Sequence, residues 1–205
     1  TLCQNDSVLI SSRSGTTVTA DRYRVDLENA GYELIDTPGF QRPRKVLKWL
    51  QSKAKNSSER AAAVKEFCEN PECQTRFPDE VELLSPIVNG AAILYVVDGS
   101  RPFGIEYEAE MEILQWTGQS SMALINPIEN ESHVDEWKSA LAQFFKTVRV
   151  FNPMTADFQK QISLLETFAF LNGDWERNLK QVVSDLQTKR ARQNDKYEPK
   201  TRDHF

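Results

Sequence analysis

The sequence predicts an open α/β protein built on a mostly parallel sheet, and three observations carry that prediction. Residues 91–98, "AAILYVVD", are the most apolar run in the chain and rich in β-formers, as a central strand buried on both faces requires. From there to residue 171, strand-like and helix-like segments alternate, the order that builds parallel strands joined by helical crossovers. Upstream, "DRYRVDL" (21–27) and "GYELID" (31–36) alternate apolar and polar residues across a short connection, the pattern of an antiparallel hairpin at the edge of such a sheet.

The hairpin ends in Asp36-Thr37-Pro38-Gly39. From Arg42 to Pro78 the apolar residues Val46, Leu47, Leu50, Ala61, Ala62, Val64 and Phe67 fall at helical spacing, interrupted by Pro71 and Pro78. A helical insert over about residues 41–80 is expected, peripheral to the sheet and mobile. After the apolar strand, "GIEYEAEMEILQWTG" (104–118) reads as a helix closed by Gly118, and "SMALIN" (121–126) as a second buried strand. "SHVDEWKSALAQFFK" (132–146) reads as a helix with Ser132 as its N-cap, "TVRVFN" (147–152) as a third strand, and "DFQKQISLLETFAFL" (157–171) as a helix. Beyond Gly173, Trp175, Leu179, Val182, Val183 and Leu186 mark one face of a further helix, and residues 194–205 are polar and unpatterned. The expected division is residues 1–172 as one domain and 173–205 as the start of a helical one.

Composition narrows the function classes. The 205 residues are 40% apolar with a net charge of -5, which argues against bulk nucleic-acid binding. No run reaches the ~18 apolar residues of a membrane helix. There is neither a signal peptide nor an initiator Met, so the sequence is expected to be part of a longer chain. Cys3, Cys68 and Cys73 are too few and too irregularly spaced for a zinc site, and His133 and His204 add no matching pair, so three free thiols and a cytoplasmic location are expected.

In an open α/β sheet, ligands bind beyond the carboxyl ends of the strands. Those ends carry "DTPG", "DGSRPFG" (98–104), "NPIEN" (126–130) and "NPMTAD" (152–157). The order D-x-x-G, then a strand ending N-x-x-[D/E], is that of a GTP-binding domain. Asp36 is a hard oxygen donor suited to magnesium. Gly39 has no Cβ to keep its N–H from a γ-phosphate. Thr16 or Thr17, on the Gly-containing loop "SRSGTT", offers a hydroxyl to complete the magnesium shell when GTP is bound. Asn126 is placed to contact a guanine ring, and the Glu129 carboxylate to accept its N–H donors.

The spacing of "SGTT" before "DTPG" resembles the switch regions of Era- and TrmE-like bacterial P-loop GTPases. The phrases "DTPGFQRPRKVLKWL", "LYVVDGSRPFGIEYEAEMEILQWTGQ", "SMALINPIE" and "VRVFNPMTADF" resemble one group, bacterial GTPases that carry a C-terminal helical domain of unknown function. The resemblance implies a Ras-like fold, its first strand lying between "YELID" and "AAILYVVD". It also implies GTP and GDP as ligands, Mg2+ as cofactor, hydrolysis of GTP, and Thr17 as the metal-binding hydroxyl.

Three departures stand beside it. No Gly-x4-Gly-Lys-[Ser/Thr] occurs, and "TLCQNDSVLI" resembles the end of the helix that follows that loop, so the phosphate loop and first strand are expected upstream of Thr1. The guanine motif reads Asn126-Pro127-Ile128-Glu129, without the lysine that packs on the base. About fifty residues separate Gly39 from Ala91, more than a switch and its helix need.

Each feature has a plainer reading. "DTPG" and "NPIEN" suit ordinary turns, and Asp98 suits an acid capping the loop after its strand. The run Arg42, Arg44, Lys45, Lys48, Lys53 and Lys55 suits a solvated helix face first, and otherwise a patch for RNA, protein or anionic lipid. The four tryptophans suit packing. Two function classes follow: a slow GTPase switch, with no catalytic residue assigned and Phe40 where a water-orienting Gln is usual; and a degenerate GTPase-fold binding module without nucleotide turnover.

Overall fold

The computed structural model describes residues 20–197, which form a mixed α/β chain. Its strands are β1 (Asp21–Asp26), β2 (Gly31–Asp36), β3 (Ile93–Asp98), β4 (Ser121–Asn126) and β5 (Val148–Val150). Its helices are α1 (Pro43–Lys53), α2 (Arg60–Glu69), α3 (Pro71–Arg76), α4 (Pro78–Val88), α5 (Glu106–Trp116), α6 (Val134–Leu141), α7 (Phe158–Ala169) and α8 (Gly173–Tyr197), with a 3-10 turn at Ser57–Glu59. The strands make two sheets, β1-β2 and β3-β4-β5. The chain packs as two compact units, residues 20–23 with 35–156, and residues 24–34 with 157–197.

In the first unit, β3, β4 and β5 run parallel, with Asp98 level with Asn126 at the carboxyl ends and Ile125 level with Val150. The strand buried on both faces is β4: Met122, Ala123, Leu124 and Ile125 are all buried. The apolar run at β3 was expected to be that strand. Instead β3 has β4 as its single partner among the described residues, and Val96 on its outer face is 55% exposed. The inward residues Ile93 and Val97 join the core, and Tyr95 stacks on Phe145 with ring centroids 5.5 Å apart. Gly118, at φ +70°, ends α5 in the left-handed region, as its position after the helical pattern predicts.

The segment after Gly39 is helical as expected but not peripheral. Val46 and Leu50 of α1, Val64 and Phe67 of α2, and Leu84 of α4 are fully buried in the same core as Ile125, Trp137 and Leu141. Pro71 and Pro78 open α3 and α4 at their first positions, where the missing N–H breaks no helical bond. The free thiols Cys68 and Cys73 lie buried in this core, and burial pushes the Cys68 thiol up to about 12. The four tryptophans do pack: Trp137 is buried against Phe103 and Tyr107, Trp116 is buried, Trp49 meets Phe67 edge-on, and Trp175 stacks on Phe168.

In the second unit, the hairpin turn closes through the Leu27 N–H donating to the Ala30 carbonyl at 2.9 Å. A Cβ at Gly31 would stand 2.7 Å from the Val25 carbonyl oxygen, so the hairpin needs glycine there. Ile162 and Leu165 of α7 and Val182 and Val183 of α8 form a separate core, with Leu27, Ala30 and Tyr32 against it. The Asn29 N–H and side-chain amide donate to the Asp185 carboxylate, and Asn178 Nδ2 donates to the Gly31 carbonyl at 2.8 Å. The boundary between packing units falls at Asp157, whereas the sequence pattern changes near Gly173.

No helix among the described residues is long and apolar enough to cross a membrane.

Candidate functional site

The parallel sheet brings three strand ends to one rim, each followed by a loop built from local bonds. After β3, the Asp98 Oδ1 accepts from the Ser100 N–H at 2.9 Å and from the Ser100 hydroxyl at 2.6 Å, and Oδ2 lies 3.2 Å from the Arg101 guanidinium. Burial pulls the Asp98 carboxyl up, but the Ser100 bonds, Arg101 and the Ile128 N–H outweigh it and hold it below the usual range. Asp98 therefore caps the loop after its strand. That loop is anchored further along by Trp137, whose indole N–H donates to the Arg101 carbonyl at 2.8 Å. Gly99 fits tightly here: a Cβ would stand 2.6 Å from an Ile125 methyl.

After β4, the Asn126 carbonyl accepts from the Gly99 N–H at 2.9 Å and from the Ile128 N–H at 3.0 Å. The Asn126 side chain points elsewhere. Its Oδ1 is buried and has no hydrogen-bond partner. A buried, unpaired amide oxygen is costly unless something else satisfies it, so it marks a position that a donor can fill. Pro127 is buried, Ile128 is 62% exposed, and the Glu129 side chain is exposed without a hydrogen bond or ion pair to another described residue. Ser132 does not cap α6. Its N–H is taken by Asn130 Oδ1 in an Asx turn, and His133 occupies the cap position without a side-chain capping bond, its ring meeting Glu136 instead. After β5, Asn152 ties two loops: Nδ2 donates to the Pro127 carbonyl at 3.3 Å, and Oδ1 accepts from the Met154 N–H at 2.9 Å. The Met154 side chain is 90% exposed.

Asp36 and Gly39 lie on a different segment. Asp36 closes β2 with an exposed carboxylate that makes no hydrogen bond or ion pair with another described residue. Gly39 is exposed, with no atom within 4 Å of where a Cβ would stand, which leaves its backbone open to approach. No hydrogen bond or ion pair joins this segment to the Asn126 loop among the described residues. Thr17 lies outside the described residues. No group of three or more His, Cys, Asp or Glu is gathered for a metal among the described residues. Asp36 fits magnesium as one hard oxygen ligand to an ion whose other positions go to phosphate, hydroxyl and water, the usual arrangement for this ion.

The residue that the sequence reading missed is Glu80. It sits fully buried in the first turn of α4, and its Oε1 accepts from the Arg42 N–H at 2.6 Å and the Gln41 N–H at 3.2 Å. Two residues on, Glu82 Oε1 accepts from the Ala20 N–H at 3.0 Å. Apolar residues at helical spacing, Val81, Leu84 and Val88, mark α4 in the sequence, but Pro78 and Pro86 obscure them. Along the basic run, Arg42 and Lys53 are engaged, with Glu80 and Glu66 and over the Phe77 and Trp49 rings. Arg44, Lys45 and Lys48 are exposed on α1 and pair with no described residue, as a solvated face requires.

A family model described as a domain of unknown function (DUF3482) matches residues 138–197. The matched segment starts within α6 and runs to the end of α8, so it includes none of Asp36, Gly39, Asn126 or Glu129. No curated protein and no solved structure matches the chain.

Proposed function

We propose that this chain is part of a Ras-like, Era-related GTP-binding protein, a molecular switch that hydrolyses GTP to GDP slowly with Mg2+. The observation that supports this reading is the buried, unpartnered Asn126 Oδ1 at the carboxyl end of the most buried strand of a parallel sheet, level with Asp98 on its neighbour. In this reading Asn126 and Glu129 recognise the base, and Asp36, Thr17 and the Gly39 N–H attend to the phosphates. Asp36 and Thr17 would hold magnesium, which would supply positive charge against the phosphate oxygens. Asp36 would offer its exposed carboxylate to the metal side, and Gly39 would lend a backbone donor to the γ-phosphate. Catalysis is then positioning and electrostatics rather than covalent chemistry.

The test is a titration of the full natural chain with GTP, GDP and ATP in magnesium, repeated on Asp36→Ala and Glu129→Ala. Asp36→Ala is expected to weaken GTP far more than GDP. Glu129→Ala is expected to erase the preference for guanine, with a loss of about 1–3 kcal/mol for the unpaired donors. Equal losses of GTP and GDP, with an unchanged order of nucleotides, would overturn the reading.

A second reading is a binding module of the same fold without turnover. Pro127 in place of a lysine in the guanine motif favours it. Nucleotide binding without phosphate release over hours would select it.

A further inference from the structure

The segment that carries Asp36 and Gly39 is held from a distance by one helix. Arg42 is the N-cap of α1, and its own side chain makes no capping bond. The Glu80 carboxylate supplies that function from α4, taking the N–H groups of both Gln41 and Arg42. A carboxylate at a helix N-terminus is favoured by the unpaired N–H groups and the helix dipole. Burial of this one is nonetheless expensive, because a buried charge needs all its lone pairs satisfied. Here they are not. Oε2 is buried with no hydrogen bond, and the nearest cation, Arg42 Nη2, stands 3.9 Å away.

The same helix also restrains the other flank of the hairpin, through Glu82 and the Ala20 N–H. In sequence, Ala20 is three residues past Thr17, and Gln41 two past Gly39. Thus α4 bonds to the chain on both sides of the hairpin, at Ala20 and at Gln41 and Arg42. Leu83, Leu84 and Ile87 fix α4 in the core, and a turn at Gly90, φ +104°, leads from it into β3.

We propose that Glu80 is a positioning residue that sets the Gly39 segment for the γ-phosphate. The proposal rests on the GTP-binding reading and adds its regulation. The under-satisfied Oε2 gives the segment a second arrangement, in which Arg42 closes onto Oε2 as the segment shifts. The helices 43–88 then sense which nucleotide is bound through α4.

The experiment measures dissociation constants of a non-hydrolysable GTP analogue and of GDP, in magnesium, for the full natural chain and its Glu80→Ala, Glu80→Gln and Leu84→Ala variants. Glu80→Ala is expected to shift the ratio of the two constants about tenfold against the GTP analogue, within the range of coupled sites. Glu80→Gln keeps an acceptor oxygen for both N–H groups and is expected to restore most of that ratio. Leu84→Ala lowers the melting temperature through the same helix and is expected to leave the ratio unchanged. An Glu80→Ala ratio equal to that of Leu84→Ala overturns the proposal and reduces Glu80 to a helix cap, while the GTP-binding reading stands. A wild-type chain that binds neither nucleotide overturns both. If Glu80→Ala does not fold, Arg42→Ala decides: a ratio shifted about threefold or more supports the coupling, and an unshifted ratio overturns it.

Discussion

The rim loops and the Asp36–Arg42 segment are held in opposite ways. At the rim, Asp98 bonds to Ser100, Asn130 to Ser132 and Asn152 to Met154, each two residues on. The segment after β2 takes its restraint from Glu80, 38 and 39 positions along the chain. Short Asx turns fix each rim loop locally, and the Trp137–Arg101, Asn152–Pro127 and Gly99–Asn126 bonds then tie the loops to α6 and to one another. The segment after β2 is packed by Pro38 and Phe40 but takes its long-range hydrogen bonds from one carboxylate, and it changes when that helix or that carboxylate changes. Under the proposed function, the rim would be the preformed recognition surface and the segment after β2 the responsive element.

The largest expected effect breaks the rim from beneath. Trp137 is buried and its indole N–H ties the Asp98 loop to α6, so Trp137→Ala is expected to cost about 3–5 kcal/mol in denaturant unfolding. Trp137→Phe keeps a ring and loses only the indole donor, and about 1 kcal/mol is expected. If both variants lose the same amount, packing rather than the Arg101 bond holds the loop.

Asp98 comes next. Its folded carboxyl titrates below the ordinary value of 3.8, so the folded state favours the anion. That contribution is present above the unfolded value and is lost as pH falls through the folded one. Asp98→Asn is expected to cost about 1 kcal/mol at neutral pH and to flatten the acid limb of the stability profile. A variant whose acid limb matches the wild type would locate that limb in other carboxylates.

Glu110 runs the other way. Burial pushes its carboxyl up from 4.5, against the 2.8 Å bond that the Tyr95 hydroxyl donates to it, and Glu106 adds to the rise. Burial, and then Glu110, push the Tyr95 hydroxyl up as well. The folded state thus binds the Glu110 proton more tightly than the unfolded chain. Stability from this group is full below the unfolded value and falls as pH rises through the folded one. Glu110→Gln keeps an acceptor for Tyr95 and is expected to be as stable as wild type at neutral pH or more so, with a shallower decline between acid and neutral pH. A steeper decline would refute the assignment.

The smallest expected stability effect sharpens the comparison most. Asn126 Oδ1 has no partner, so Asn126→Ala is expected to change unfolding stability by less than about 1 kcal/mol while nucleotide binding is lost. A large loss of stability with binding intact would make Asn126 a structural residue and remove the observation on which the proposed function stands.

The sequence alone determined what depends on neighbours along the chain. Alternation at β1 and β2, the apolar run of β4, the end of α5 at Gly118 and the capping by Asp98 were legible because the interacting groups lie within a few residues. The tertiary structure alone decided matters of burial and distant partners. An apolar pattern does not state how many neighbours a strand has: among the described residues β3 pairs with β4 alone, and "SMALIN" takes the place buried on both faces. Likewise, α1, α2 and α4 enter the core because Val46, Leu50, Phe67 and Leu84 find one another across as many as 38 positions. Glu80 was invisible for the same reason. A glutamate in a first helical turn reads as a solvent-exposed capping charge, and only packing buries it against the N–H groups of Gln41 and Arg42.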